Sequence, residues 1–558
     1  MKCIYDILLE LDRKCQSLHD RIENIPLISA MKKKKFLFFI ILLVLQCLVM
    51  VYWGNQKKGY VTDEFFSLEG ANYGGRGMVY WSNDDFWGNW HSNEEFMERL
   101  TVDEGESLWN RENWTDAYSD HSISLYYVIL NLTYSFAEGK FSKWPSIILN
   151  MIFFCVTQLI LYKTVKHIAD DKVAFMAIGI YGFSTAAISS VIYIRFYMLI
   201  SLLVVLTNYI LIKLLNSESV MLRIIDLLLL AGIAFIFYRE QPVALLYMAL
   251  LAITTLLFLI VRNRRKEFFS YISIIILGLI FICVFFPSIF RRINILLKTL
   301  NVYQNVTYFD FRDIINKLMQ CSRQVYRMLF YNIYGMLFFI VLFLLLFIID
   351  KSCLVKYKKK NEEKGFILIF GYSMIITLII LSRLINFETL VPWRYISICY
   401  TTCVMVFVLT MIYLAKKTNL RYLVTDGVLL AFIVITVLSY KLPRVQELYP
   451  EMDETKSFIE QNYGGLDGAY FDYGLSMNWL YDAGYLWNKD TKVYTDKITN
   501  LLDDSYELEA FDQESMLLWL NCDYDIGDAV REFLDKTQYN KAEEVTSFRY
   551  IKVFLCSK

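Results

Sequence analysis

The chain has no net charge: 56 Lys and Arg balance 56 Asp and Glu over 558 residues. That balance removes the basic footprint a nucleic-acid partner would require. Its eleven cysteines form no Cys-x-x-Cys pair, so no zinc or dithiol redox framework is indicated. Cys47, Cys155, Cys283, Cys399 and Cys403 fall instead in apolar runs, where a thiol serves as a small apolar side chain. Charge is nearly absent from those runs and no internal repeat is visible. Both absences argue against a transporter or lipid flippase, the alternative class for such a chain, because these place charged groups and broken repeats near mid-membrane.

Apolar side chain is what the sequence has in excess, at 56% hydrophobic and 16% aromatic residues. It arrives in runs of helix-spanning length, at about 36–53, 145–162, 173–190, 197–215, 224–238, 243–261, 270–290, 329–349, 365–382, 395–415 and 422–440. The expected fold class is an α-helical polytopic membrane protein of about 11 spans. Its first apolar run follows Lys32 to Lys35 and is long, with no small-residue cleavage site after it, so it reads as an anchor. Met31 stands directly before the lysines; residues 1–30 are either upstream of the true start or a short cytoplasmic amphipathic helix.

Topology follows from charge. The segment Ser122 to Ala137 is short for a span and is interrupted by Asn131 and Thr133, which suits a position along the interface. With it outside, the loops 163–172, 216–223, 262–269, 350–364 and 416–421 fall inside and hold seventeen Lys and Arg, as the positive-inside rule requires. Pro145, Pro242, Pro287, Pro392 and Pro443 then all fall at external helix ends or connections. The expected organisation is a cytoplasmic segment 1–35, a membrane catalytic domain 36–440 with an external loop 54–144, and an extracytoplasmic domain 441–558. In that last part helix-like stretches (453–463, 475–487, 525–536) alternate with strand-like ones (469–473, 492–495, 516–520, 545–555), predicting a small α/β domain. Cys522 and Cys556 lie within it, at a spacing that does not argue for a bridge.

The polar residues on the outer side are the candidate chemistry. Asp63 and Glu64 open the first external loop, where a carboxylate can deprotonate an attacking hydroxyl or amine. One base suffices if the leaving group is a phosphate, which departs as a stable anion and needs cations around it. Arg195 and Arg394 stand at outer span ends and can grip phosphate oxygens. The blander reading of each is an arginine anchoring its helix at the headgroups. Arg239 and Glu240, adjacent at another span end, are candidates that can also simply pair with each other. Asp120 and His121 lead into Leu125-Tyr126-Tyr127; His121 lacks a second ligand at fixed spacing, so it is a weak metal signal.

Taken in order, these motifs resemble the GT-C membrane glycosyltransferases that use polyprenyl-phosphate sugars. That group includes protein mannosyltransferases and bacterial lipid A aminoarabinose and lipopolysaccharide sugar transferases. Thr62-Asp63-Glu64-Phe65 matches the acidic pair after the first span, and the resemblance makes its leading aspartate catalytic. Asp120-His-Ser-Ile-Ser-Leu-Tyr-Tyr127 is similar to an Asp-x-His-Pro-Pro-Leu-Tyr-Tyr stretch, with both prolines missing and the histidine one place early. Arg195-Phe-Tyr197 and Arg394-Tyr395 resemble the family's Arg-x-Tyr and late Arg-Tyr. The resemblance implies transfer at the outer leaflet, with Asp63 activating the acceptor and Arg195 and Arg394 holding the phosphate. It implies a polyprenyl-phosphate sugar donor and a cell-envelope acceptor as partners in the bilayer. It makes no cofactor certain and leaves a divalent metal open.

Overall fold

The computed structural model describes residues 2–23, 35–72, 87–102, 124–216, 219–265, 267–273, 275–276, 311–330, 362–384, 392–427, 430, 434, 445–472, 478–503, 505–508, 511–521 and 526–558. They form two compact units that interleave along the chain. Met1–Met50, Met151–Val191 and Phe196–Val445 make the first; Val51–Asn150, Ile192–Arg195 and Gln446–Lys558 make the second.

Seven described helices are long and apolar enough to cross a membrane: Lys35–Gln56, Trp144–Ile168, Tyr197–Asn216, Met221–Glu240, Val243–Val261, Lys364–Arg383 and Trp393–Thr418. The helices Asp171–Phe183 and Thr185–Ile192 are apolar enough only as a pair, bent by 53°, which makes either one broken span or a re-entrant loop. This is a multi-pass membrane protein. The bend falls inside the continuous span expected at 173–190. Ser184 causes it: its backbone is extended, its hydroxyl donates to the Tyr181 carbonyl at 2.6 Å, and it accepts the Ala187 N–H at 3.2 Å. One side chain thus ends one helix and caps the next. The expected spans at 270–290, 329–349 and 422–440 fall largely outside the described residues.

Buried polar side chains fasten the helices of the first unit, since apolar contact alone distinguishes little between helix and lipid. The Gln158 amide donates to Gln46 Oε1 at 2.9 Å and to the Ile178 carbonyl at 3.1 Å. Gly182 lies against them, and a Cβ there would collide with both amides. Asn208, Tyr247 and Thr402 form a closed set of hydrogen bonds of 2.8 to 3.0 Å. Residues Lys2–Glu23 form an amphipathic helix, fixed by Tyr5 donating to the Thr418 carbonyl and by Asp12 accepting the Leu423 N–H.

The second unit is built on a six-stranded mixed sheet. Its strands are β1 (Asn89–Ser92), β2 (Gly468–Asp472), β3 (Lys492–Lys497), β4 (Ser515–Asn521), β5 (Lys541–Phe548) and β6 (Ile551–Ser557), in the order β1-β3-β2-β4-β6-β5. The central β3, β2 and β4 run parallel and are almost wholly buried, and β4 has the continuous apolar run that burial on both faces favours. Phe471, Leu518, Leu520, Phe511 and Phe533 form the core against the helix Ile526–Lys536.

Two features of this unit depart from the sequence-based expectation. The single strand expected at 545–555 is a hairpin, turning through Arg549 and Tyr550 between the paired Phe548 and Ile551. Arg549 takes a left-handed φ of 53° there, and without an Asn-Gly pair no local signal marks the turn. The other departure is β1, which comes from the segment after the first apolar helix and pairs antiparallel with β3. Cys556 is a buried free thiol, and Cys522 lies outside the described residues.

Candidate active site

The helix Thr62–Asn72 carries the acidic pair in its first turn, where carboxylates oppose the positive end of the helix dipole. The two acids then diverge. Glu64 is fully buried, and its Oε2 accepts from the Val61 N–H at 3.0 Å and from Lys57 Nζ at 2.9 Å. Its Oε1 accepts the Ile194 N–H at 2.8 Å. The Val61 contact is the carboxylate half of a capping box, satisfying a donor at the helix start. Lys57 is itself buried and also donates to the Glu447 carbonyl at 2.8 Å.

Asp63 keeps its side chain about a third exposed. Tyr193 donates its hydroxyl to Asp63 Oδ2 at 3.2 Å, and Arg195 Nη2 lies 3.8 Å from Oδ1. The other arm of that guanidinium is held by the Asp63 carbonyl at 2.9 Å, Ser67 Oγ at 3.2 Å and the Tyr127 hydroxyl at 3.3 Å. Arg195 therefore has a fixed orientation toward the carboxylate. Tyr193 and Arg195 belong to the unwound link between the helices Thr185–Ile192 and Tyr197–Asn216. Asn150 holds that link by donating to the Tyr193 carbonyl at 2.9 Å.

A second layer of charge surrounds this cluster. The half-buried Lys143 reaches the Lys57 carbonyl; burial, with Lys57 and Lys58 nearby, lowers its pKa to about 8. Glu69, about two turns further along the Asp63 helix, is buried and accepts from the Tyr481 hydroxyl, with Arg99 at 3.9 Å. Tyr126 is fully buried beside Tyr127 on the helix Leu125–Tyr134. Among the described residues no group of three His, Cys, Asp or Glu side chains is placed to hold a metal ion.

The structure thus brings Asp63, Glu64 and Arg195 together with Tyr127, next to the expected Tyr126. Tyr197, Arg239, Glu240, Arg394 and Tyr395 belong to the first unit. There the buried Tyr197 packs its ring 6.1 Å from Trp393, and Arg394 is half-buried at the start of the helix Pro392–Thr418. Glu240 is buried in the last turn of Val220–Glu240 beside the half-buried Arg239. Asp120 and His121 lie outside the described residues. Sequence reasoning missed Lys57, Ser67, Tyr193 and Asn150. Of these only Lys57 left a trace, as a charge placed just beyond an apolar run.

The chain matches no protein-family model and no curated protein. Among solved structures it is similar to ArnT from Cupriavidus metallidurans in the apo state. That likeness has a TM-score of 0.50 at 9% identity and covers 93% of this chain and 98% of that one. ArnT of the same organism bound to undecaprenyl phosphate aligns with a TM-score of 0.47 at 10% identity, covering 92% and 97%. The fold is therefore that of a GT-C-type helical membrane protein carrying a small C-terminal mixed-sheet domain. More particularly, it is ArnT-like over nearly the whole chain.

Proposed function

We propose that this protein is a membrane glycosyltransferase that moves a sugar from a polyprenyl-phosphate donor to an extracytoplasmic acceptor, a cell-surface glycan, lipid or protein. The observation that carries the reading is the pairing of a partly exposed carboxylate, Asp63, with a guanidinium fixed 3.8 Å away. In the reaction the acceptor's oxygen or nitrogen attacks the anomeric carbon and its proton passes to Asp63. The bond to the phosphate oxygen breaks on the opposite face, and the phosphate leaves as an anion toward positive charge. The configuration inverts. Arg195, and Arg394 of the helical unit, are assigned to the phosphate; Glu64 is assigned to positioning, because all three of its contacts are internal. The chemistry sits outside the cell membrane's inner face, since the lysine- and arginine-rich loops claim the cytoplasm. On this reading the first external loop and the tail, 441–558, are both extracytoplasmic, and residues 36–440 make up the catalytic membrane domain.

The test is incubation of the purified protein with a panel of polyprenyl-phosphate sugars, following release of polyprenyl phosphate. Wild type should release it from at least one donor, and Asp63→Asn should lower that rate by about 10²- to 10⁴-fold, the usual worth of a general base. Release by Asp63→Asn at the wild-type rate would remove the assignment. No release from any donor would move the reading to a transporter.

A further inference from the structure

The segment 57–61 leads into the helix that carries Asp63 and belongs to neither a helix nor a strand. Lys143 holds its first carbonyl and Glu64 its last N–H, and tail residues hold the backbone between them. Lys58 and Gly59 donate their N–H groups to the Leu448 carbonyl, and the Tyr60 N–H meets Met452 Sδ at 3.3 Å. The Tyr60 carbonyl is held by Arg549, in the β5–β6 turn. One guanidinium arm donates to the Tyr60 carbonyl at 2.9 Å, and the other to Asp482 Oδ2 at 2.6 Å. The guanidinium plane lies over the Tyr449 ring, 4.5 Å from its centroid.

As a source of stability this arrangement is expensive. Asp482 is fully buried, and its second oxygen, Oδ1, has no hydrogen-bond partner among the described residues. Arg549 itself holds a left-handed backbone, a conformation unfavourable for a side chain of this size. Buried ion pairs of this kind contribute little net stability. What the pair secures is geometry, since only a guanidinium can span the Asp482 carboxylate and the Tyr60 carbonyl with two fixed arms.

We propose that Arg549 is a positioning residue for Asp63: by gripping the Tyr60 carbonyl against Asp482, it fixes the segment from which the Asp63 helix starts. The proposal rests on the reading of Asp63 as the base. It makes the C-terminal hairpin part of the catalytic apparatus without contact to substrate.

The test uses the full chain in detergent with two variants, Arg549→Ala and the more conservative Arg549→Lys, which keeps a charge facing Asp482 but loses the fork. Backbone amide exchange is followed over peptides covering 57–64 and, separately, β4 and β6. Both variants should exchange faster at 57–64 while β4 and β6 keep their protection. For a donor that wild type turns over, kcat should fall on the order of 10- to 100-fold with KM changed by less than about threefold, as for a misplaced catalytic group. Unchanged exchange at 57–64 in both variants would overturn the proposal. So would faster exchange throughout β4 and β6 in Arg549→Lys, which would make Arg549 a fold residue only. The exchange arm needs no turnover, so it decides the proposal even if Asp63 proves not to be the base.

Discussion

Ile194 donates its backbone N–H to Glu64 Oε1 at 2.8 Å, joining two points 130 residues apart in the chain. The contact fixes the unwound link that carries Tyr193 and Arg195 against the first turn that carries Asp63. Glu64 thereby acts as the hinge pin of the candidate site, while its neighbour faces outward.

That role gives the Lys57–Glu64 pair a measurable weight. Lys57→Met leaves a buried carboxylate without its cation, and should cost about 3–5 kcal/mol of stability. Thermal unfolding in detergent reads this directly. Combining Lys57→Met with Glu64→Gln should recover part of the loss, because no uncompensated charge remains buried.

Arg195→Ala should weaken donor binding by about 1.5–3 kcal/mol, the worth of a hydrogen bond to a charged group. Competition of polyprenyl phosphate against a labelled donor measures it. Arg195→Lys should fail to restore binding, because an ammonium cannot reproduce the fork that also touches Ser67 and Tyr127. Equal affinity in wild type and Arg195→Ala would free this arginine from the phosphate role.

Burial raises the Asp482 carboxyl from 3.8 to about 6; the Arg549 guanidinium pulls the other way and Glu64 adds to the rise. The folded chain thus binds this proton more tightly than the unfolded chain does. The resulting stabilisation is complete below about pH 4 and is lost as pH rises through about 6, a change on the order of 3 kcal/mol. Asp482→Asn should flatten the melting temperature over that window. A wild-type pH profile unaltered by the substitution would refute the assignment.

Gly59 packs tightly against the tail: a Cβ there would stand 2.6 Å from Met452 Cβ and 2.9 Å from Tyr449 Cβ. Gly59→Ala should therefore cost about 1–3 kcal/mol through overpacking. Gly232, with nothing within 4 Å, is the control at which alanine should be tolerated. Comparing the two melting temperatures checks both.

Apolar periodicity made the membrane helices legible, because a run of uncharged residues long enough to span has few other stable fates. The tail helices and parallel strands were legible for the same reason, since each must bury an apolar face. The Asp63–Glu64 pair and Arg195 were also visible as polar groups beside apolar runs. Their division of labour was not. Adjacent acids on one helix turn have the same sequence signature, and only packing against Lys57 and Ile194 buries one and leaves the other partly exposed.

The sequence by itself determined that this is a helical membrane protein with a small α/β tail and acids after the first span, because hydropathy is a local property of the chain. Only the tertiary structure decided that β1 of the first loop joins the tail sheet, that 545–555 folds back on itself, and that Arg549 reaches the carbonyl of Tyr60. Strand pairing, a left-handed turn residue and a hydrogen bond across 489 residues depend on partners that no local pattern specifies.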